Sequence, residues 1–506
     1  DPSVRVLLLE AGGPDTRREI RIPAAFAKLF RSECDWAYST EPQPHLNNRR
    51  LYWPRGKVLG GSSSINAMIY IRGHASDYDG WAALGNAGWS FADVLPYFRK
   101  AEDNQRGASE YHGAGGPLAV SDLRSPNVLS RAFVEAGVEL GFARNPDFNG
   151  AGQEGFGFYQ VTQKRGARHS AADAYLKPAL ARPNLTVRTG AHATQVLFEG
   201  TRAVGVAYLR DGHAEEARAG REVILCGGTV NSPQLLLLSG VGPAEQLRAL
   251  GIRVVADLPG VGENLQDHLE IVVGHQCTQP ISLDRAETLG NLLQYVLFRR
   301  GPLTSNVAEA GGFVKTRPDQ VGIFVPDLPA PDLQYMFGPV YYLDHGFTRP
   351  KGYGFGLVAV LLRPRSRGRI TLRSTDPFAH PHIDANYLSS DADLALLVEG
   401  VKLGRHLFAA KSFDPYRGPE ARPGAQVQTD AEIADHIRHH VETIYHPVGT
   451  CKMGADSLAI VDAQLRVHGI DGLRVVDASV MPVLIGGNTN AATLMLAEKA
   501  ATLIRG

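Results

Sequence analysis

The sequence predicts an α/β chain of two units, one in which buried strands alternate with helices and one built on a mostly antiparallel sheet flanked by helices. Three observations predict it. The 506 residues exceed a single domain of ~150 residues about threefold. The chain opens on an apolar run, Val4 to Leu9, ending in Glu10 and a glycine pair, the pattern of a buried parallel strand. Between Pro302 and Leu388, strand-like runs recur with no long helix between them.

Composition narrows the classes of function. Fifty-two Lys plus Arg balance 52 Asp plus Glu, and apart from Arg49, Arg50, Arg55 and Lys57 the basic residues are dispersed, so nucleic acid is not an expected partner. With 44% hydrophobic residues, 55 glycines and 31 prolines, the chain can bury a large core and needs many tight turns, which excludes disorder and coiled coil. Cys34, Cys226, Cys277 and Cys451 show no paired spacing, which fits a reducing compartment, the cytoplasm, and no metal site. No apolar run reaches the roughly 18 to 20 residues that cross a bilayer. A protein without a transmembrane segment, soluble or peripheral to a membrane, is expected.

The elements follow in order. A strand that ends in an acid and a glycine turn reads as the second strand of a Rossmann-like unit, whose acid lies about 20 residues past a G-x-G-x-x-G loop. That reading expects about 30 further residues ahead of Asp1, carrying a first strand and the phosphate loop. An ordinary strand ending in Glu10 would look the same. Residues 42–61 form a connector rich in Pro, Asn, Arg and Gly, and Ser90-Phe-Ala-Asp93 starts a helix in capping-box style. From Leu185 to Arg210 alternating apolar residues predict a small antiparallel meander, followed by a returning strand at Glu222 to Leu225. Leu333 to Phe337, Phe355 to Leu362 and Arg369 to Leu372 supply the second unit's sheet. The end returns to α/β character, with a strand Leu473 to Val476, then Asp477, a Gly-Gly-Asn-Thr-Asn loop and a helix from about Ala491 to Ile504.

Three stretches carry chemistry. Gly56-Lys-Val58-Leu-Gly60-Gly61-Ser-Ser-Ser-Ile65-Asn66-Ala67-Met68 is a turn through which backbone can approach a flat or anionic ligand, and it lacks the Gly-Lys-Ser/Thr order of a P-loop. A structural turn would share this composition. Gly227-Gly-Thr-Val-Asn-Ser232 is a glycine turn between a strand and a helix. Tyr445-His446-Pro-Val-Gly-Thr-Cys-Lys-Met-Gly454 precedes Asp477-Ala478 and Gly486-Gly-Asn488-Thr-Asn490.

In this order the stretches, with Gly260-Val-Gly-Glu-Asn-Leu-Gln-Asp-His268, resemble the glucose-methanol-choline oxidoreductases over essentially the whole chain. The resemblance implies a Rossmann-like FAD-binding domain over residues 1–75, 186–268 and 455–506, and a substrate domain over 76–185 and 269–454. It implies FAD as cofactor, held through Glu10 at the adenosine ribose, Val58, Gly60, Gly61, Asn66, Ala67, Met68, Val196 at the adenine, Gly227, Asp477 and Ala478. Ile65 stands where covalently flavinylated members have histidine, so the FAD is expected to be non-covalent. His446 and Asn490 resemble the family's catalytic pair: a neutral imidazole takes the hydroxyl proton of a small-molecule alcohol while an amide holds its oxygen. The implied reaction is oxidation of a primary alcohol, choline-like, aliphatic or aryl, to the aldehyde. A quinone or other carrier is the expected electron acceptor, with oxygen the less favoured one.

Rival readings accompany these. His436, His439 and His440 on a helix could hold zinc, but the H-E-x-x-H order is missing and a solvated helix face reads better. Glu309 could wall the site against a cationic alcohol or be a buried structural partner, the favoured reading. A lyase on the same fold, without net redox, and an inactive piece of a longer protein are the two alternatives to the dehydrogenase.

Overall fold

The computed structural model describes residues 2–316, 330–348 and 350–505. Its largest sheet has seven strands, and strand alternation decides what each of its faces does. The order across it is Arg417–Arg422, Leu269–Cys277, Gly354–Leu361, Leu333–Gly338, Ala310–Val314 and Gly155–Phe158, with Glu442–Thr443 joining the start of Leu269–Cys277. Every pairing in it is antiparallel. On one face Ile271, Val273, Tyr335, Phe337, Phe355, Leu357 and Ala359 pack in the core with Leu397, Val401 and Phe408 of the helix Asp391–Ala409. Side chains two apart share a face, so Glu270, Val272, Met336, Gly338 and Val358 turn the other way and roof a cavity.

The sheet expected between Pro302 and Leu388 is therefore present where the structure describes it, although residues 317–329 of that range lie outside the described residues. Arg369–Thr371 pairs instead with His382–Asp384 as a separate ladder.

The parallel part is smaller than the antiparallel part. Val6–Leu9 pairs in parallel with Leu185–Arg188, and Val223–Leu225 with Leu473–Val475. Leu185–Arg188 is thus not part of the meander, which comprises Ala191–Glu199, Arg202–Arg210 and His213–Arg218. Local alternation marks a strand but cannot name its partner. Among the described residues neither parallel pair has a third strand. Val6 is 48% exposed and Ile224 40%, and both strands line the same cavity.

The helix Phe91–Ala101 carries the expected capping box, with Ser90 and Asp93 closing on each other's backbone. It packs on the C-terminal helix Thr489–Arg505 through a Lys100–Glu498 ion pair, while the Lys499 ammonium lies over the rings of Trp89 and Tyr97. Tyr78, Trp81, Trp89 and Phe98 share one core with Val223, Leu473 and Leu496. Helices from the expected substrate unit thus share the core of the parallel unit.

Candidate active site

One cavity of about 1500 Å³ runs from Glu10 to His446. Its first end is lined by residues 3–11 and 220–228, its middle by Gly60, Gly61, Asn66, Ala67 and Met68, and its far end by Asn488, Thr489, Asn490 and the roof of the large sheet. Gly60 and Gly61 adopt φ of 90° and 54°, and a Cβ on Gly60 would lie 2.4 Å from the Ser64 hydroxyl. Only glycine lets the chain turn there without strain. The Thr489–Arg505 helix begins at the cavity, where its first amides lack intrahelical partners.

At the far end a directional hydrogen-bond chain sets the protonation of every member. The Leu362 carbonyl can only accept, so His268 donates to it from Nε2 at 3.0 Å and leaves Nδ1 as an acceptor. His446 donates to that atom from its own Nδ1 at 3.1 Å. The His446 Nε2 lone pair therefore remains, and the Asn488 amide donates to it at 3.2 Å. Asn488 is oriented in turn by Gln334, whose amide donates to Asn488 Oδ1 at 3.2 Å. The main chain of His446 is held by Asp267, which accepts its N–H at 2.8 Å and also accepts from the Tyr387 and Thr443 hydroxyls.

Electrostatics agree with this assignment. Burial, with His268 and Arg55 adding to it, pushes His446 well below the ordinary histidine range, so the ring is neutral at pH 7. Burial likewise pulls His268 down to about 4; His446, Asp77 and Arg363 are the titratable and charged groups that face it. Asp267 is raised to about 6 by burial, against the opposing hydrogen bonds and the Arg55 charge.

The structure brings most of the predicted residues to one cavity, and three of them make contacts other than those expected. Glu10, Gly60, Gly61, Asn66, Ala67, Met68, Gly227, Asp477, Ala478, His446 and Asn490 all line the cavity. Glu10 accepts from the Gly12 amide at 2.7 Å, and burial pushes its carboxyl up to about 7. Asp477 spans two elements, accepting from Gly228 N–H at 2.9 Å, from the Ser232 hydroxyl at 2.5 Å and from Ser479 N–H at 2.8 Å.

The amide that reaches His446 belongs to Asn488, not Asn490, which makes no hydrogen bond to the imidazole. Asn488 precedes the helix, which starts at Thr489, whereas Asn490 lies in its first turn, and both line the cavity. Val58 is buried against Phe26 and Ile65 and Val196 in the core beside Leu236, so neither side chain reaches the cavity. The Val196 N–H is already given to the Ser239 hydroxyl. His192 and Ala193 line the cavity in its place, because a register shift after Ala193 resets the strand's faces.

Glu309 is not a cavity wall either. Its carboxylate accepts from the Ser305 and Ser130 hydroxyls and the Asn127 N–H at 2.6–2.7 Å, a closed structural set. The acid facing the cavity is Glu270, 4% exposed, whose Oε2 has no hydrogen-bond partner. Sequence reasoning missed Glu270 and the role of His268, although both sit in or beside the quoted Gly260 to His268 stretch. His439 and His440 are exposed, as expected of a solvated face, while His436 is buried and its ring lies 4.4 Å from that of His440 between centroids. No group of three metal-ligating side chains is assembled among the described residues.

The residues present fit FAD. The cavity of about 1500 Å³ is lined by the Gly60-Gly61 turn, by the Glu10 acid and by the start of the Thr489–Arg505 helix, and leaves the Asn306 Oδ1 buried without a partner on its wall. No helix among the described residues is long and apolar enough to cross a membrane.

Comparison with known proteins agrees with the geometry. Residues 10–270 and 364–497 match the N- and C-terminal profiles of the GMC oxidoreductases. The chain is 50% identical over its whole length to an alcohol dehydrogenase [acceptor] of Pseudomonas putida, covering 92% of that protein. It is 47% identical, again over its whole length, to the mitochondrial choline dehydrogenase of Mus musculus, covering 86% of it. Among solved structures, pyridoxine 4-oxidase from Mesorbium loti superposes with a TM-score of 0.89 at 33% identity, over 99% of this chain and 94% of the other. Formate oxidase from Aspergillus oryzae superposes with a TM-score of 0.92 at 28% identity, over 100% and 94%. The chain belongs to the GMC oxidoreductase family.

Proposed function

We propose that the protein is an FAD-dependent alcohol dehydrogenase that oxidises a primary alcohol to its aldehyde, with His446 as the base and Asn488 as the donor to the substrate oxygen. The observation that carries this is the neutral imidazole whose Nε2 accepts only from the Asn488 amide at the cavity wall, an acceptor position that an alcohol hydroxyl would take over on binding. FAD, when bound non-covalently in this cavity, supplies the hydride acceptor. The chain's own residues do the rest. His446 Nε2 accepts the hydroxyl proton, and the Asn488 N–H group donates to the oxygen as its negative charge grows. His268 keeps the His446 proton on Nδ1 and so acts as a positioning residue. Asp267 fixes the main chain that carries the imidazole.

Glu270 supports a choline-like substrate. A buried carboxylate with an unpartnered oxygen is costly, and burial together with the charge of Glu442 pushes it well above the usual range. A cationic head group beside it would offset that cost, and Tyr342 and Tyr445 line the same wall. The name of the Pseudomonas putida alcohol dehydrogenase [acceptor] supports a carrier other than oxygen as electron acceptor, while the names of an oxygen-dependent choline dehydrogenase of the same species and of the two oxidases support oxygen, and a dye acceptor assayed against oxygen would decide between them.

The test is anaerobic mixing of the flavin-loaded protein with choline and with aliphatic and aryl alcohols. The reading predicts bleaching of flavin absorbance, whereas a lyase would leave it oxidised. In His446→Ala the bleaching rate should fall about 1,000-fold with flavin content unchanged; a near-normal rate would remove His446 from the base role.

A further inference from the structure

The helix Leu289–Phe298 is built inside out. Leu289, Leu292, Leu293, Val296 and Leu297 recur at the spacing of one helical stripe, and that stripe faces solvent: Leu289 is 73% exposed, Val296 58% and Leu297 67%. Phe298, beside it, is 65% exposed. The opposite side is anchored. Tyr295 is buried and donates its hydroxyl to the Arg21 carbonyl at 3.1 Å, and Thr288 caps the helix by accepting from Asn291 N–H at 3.1 Å. A helix capped and seated in this way holds its apolar stripe outward by design of the fold. Contiguous apolar surface of this kind marks an interaction site.

The charges around the stripe indicate the partner. Arg285, Arg299 and Arg300 are exposed at its two ends, and none of the three is in an ion pair among the described residues. The Arg299 guanidinium lies 4.8 Å above the Tyr295 ring. The nearby acids are already engaged: Glu287 pairs with Lys28 at 2.8 Å, and Asp284 accepts from Ser282, Tyr341 N–H and Gly354 N–H. The patch is therefore apolar at its centre and positive at its margin, the arrangement that suits an anionic lipid surface. A second copy of the chain suits it less well. A ten-residue helix, about 15 Å long and about 10 Å across, presents roughly 150 Å² on one face, far short of the roughly 800 Å² per partner of a standard stable interface, and a two-fold pairing across the stripe would bring arginines together.

We infer that Leu289–Phe298 is a membrane-surface anchor, its stripe entering the headgroup boundary of an anionic phospholipid bilayer and Arg299 and Arg300 meeting the lipid phosphates. This site lies outside the substrate cavity and does not depend on the alcohol assigned to it.

Co-sedimentation of the flavin-loaded protein with phosphatidylcholine vesicles, with and without phosphatidylglycerol, tests it. The wild type should pellet with the anionic vesicles and be released as salt rises. Leu293→Glu/Leu297→Glu should lower the pelleted fraction about tenfold with flavin content and anaerobic bleaching unchanged, and Arg299→Glu/Arg300→Glu should remove the preference for anionic lipid. A wild type that stays in the supernatant with both vesicle types would overturn the inference. So would a dimer that Leu293→Glu/Leu297→Glu converts to monomer while vesicle binding is unaffected, which would make the stripe a self-association face.

Discussion

Two stretches of the same cavity wall differ in how their polar atoms are satisfied. Around His446 each group passes a hydrogen bond to the next, from Gln334 through Asn488, His446 and His268 to the Leu362 carbonyl. Around Glu270, two residues along the chain from His268, a carboxylate oxygen is left without any partner. The first arrangement is complete without substrate and depends on nothing beyond the hydroxyl group it acts on. The second is completed only by something that binds. In the proposed function the satisfied wall performs the chemistry common to all alcohols, and the unsatisfied wall selects among them.

Substitutions can break or sharpen this contrast, beginning with the largest effect. Asn488→Ala should lower the rate of anaerobic flavin bleaching about 100-fold for every alcohol alike, whereas Asn490→Ala should change it less than about threefold; stopped-flow absorbance on both variants decides, and the reverse order would return the role to Asn490. His268→Leu removes the acceptor for the His446 Nδ1 proton and should cost about tenfold or more, with flavin content unchanged. His268→Gln, whose amide oxygen can accept that proton, should recover much of the loss, and equal losses in the two variants would reduce His268 to a packing residue. Glu270→Gln belongs to the other wall. It should raise KM for choline about tenfold while leaving kcat, and both constants for benzyl alcohol, within about twofold. A uniform loss across neutral and cationic alcohols would dissolve the contrast between the two walls.

Much of this was legible in the sequence, and the failures have physical causes. The acid ending the first strand, the Gly60-Gly61 turn, Asp477 and His446 all line the one cavity, because each belongs to a motif in which residue type and local turn geometry fix position. Asn488 and Asn490 look equivalent in a string, and only the start of the helix separates them. The side chain of Val196 points into the core rather than the cavity, where a register shift in its strand brings His192 and Ala193 instead. Glu309 and Glu270 are both buried acids. What distinguishes them is the count of donors supplied by chain segments remote in sequence, which no local pattern encodes. The partner of Leu185–Arg188 was lost for the same reason, since parallel pairing is set by the tertiary fold.

The account's central claim is that His446 waits as a neutral base. Burial places its proton affinity below the ordinary histidine value of 6.5, so the base form predominates above that point and is lost only as pH falls through the lowered value. The direct measurement is the limiting rate of anaerobic flavin bleaching by alcohol as a function of pH. A rate that holds level from alkaline pH down through 6.5 and declines only below it is predicted; an acidic limb centred at or above pH 7 would contradict a neutral, desolvated imidazole as the base.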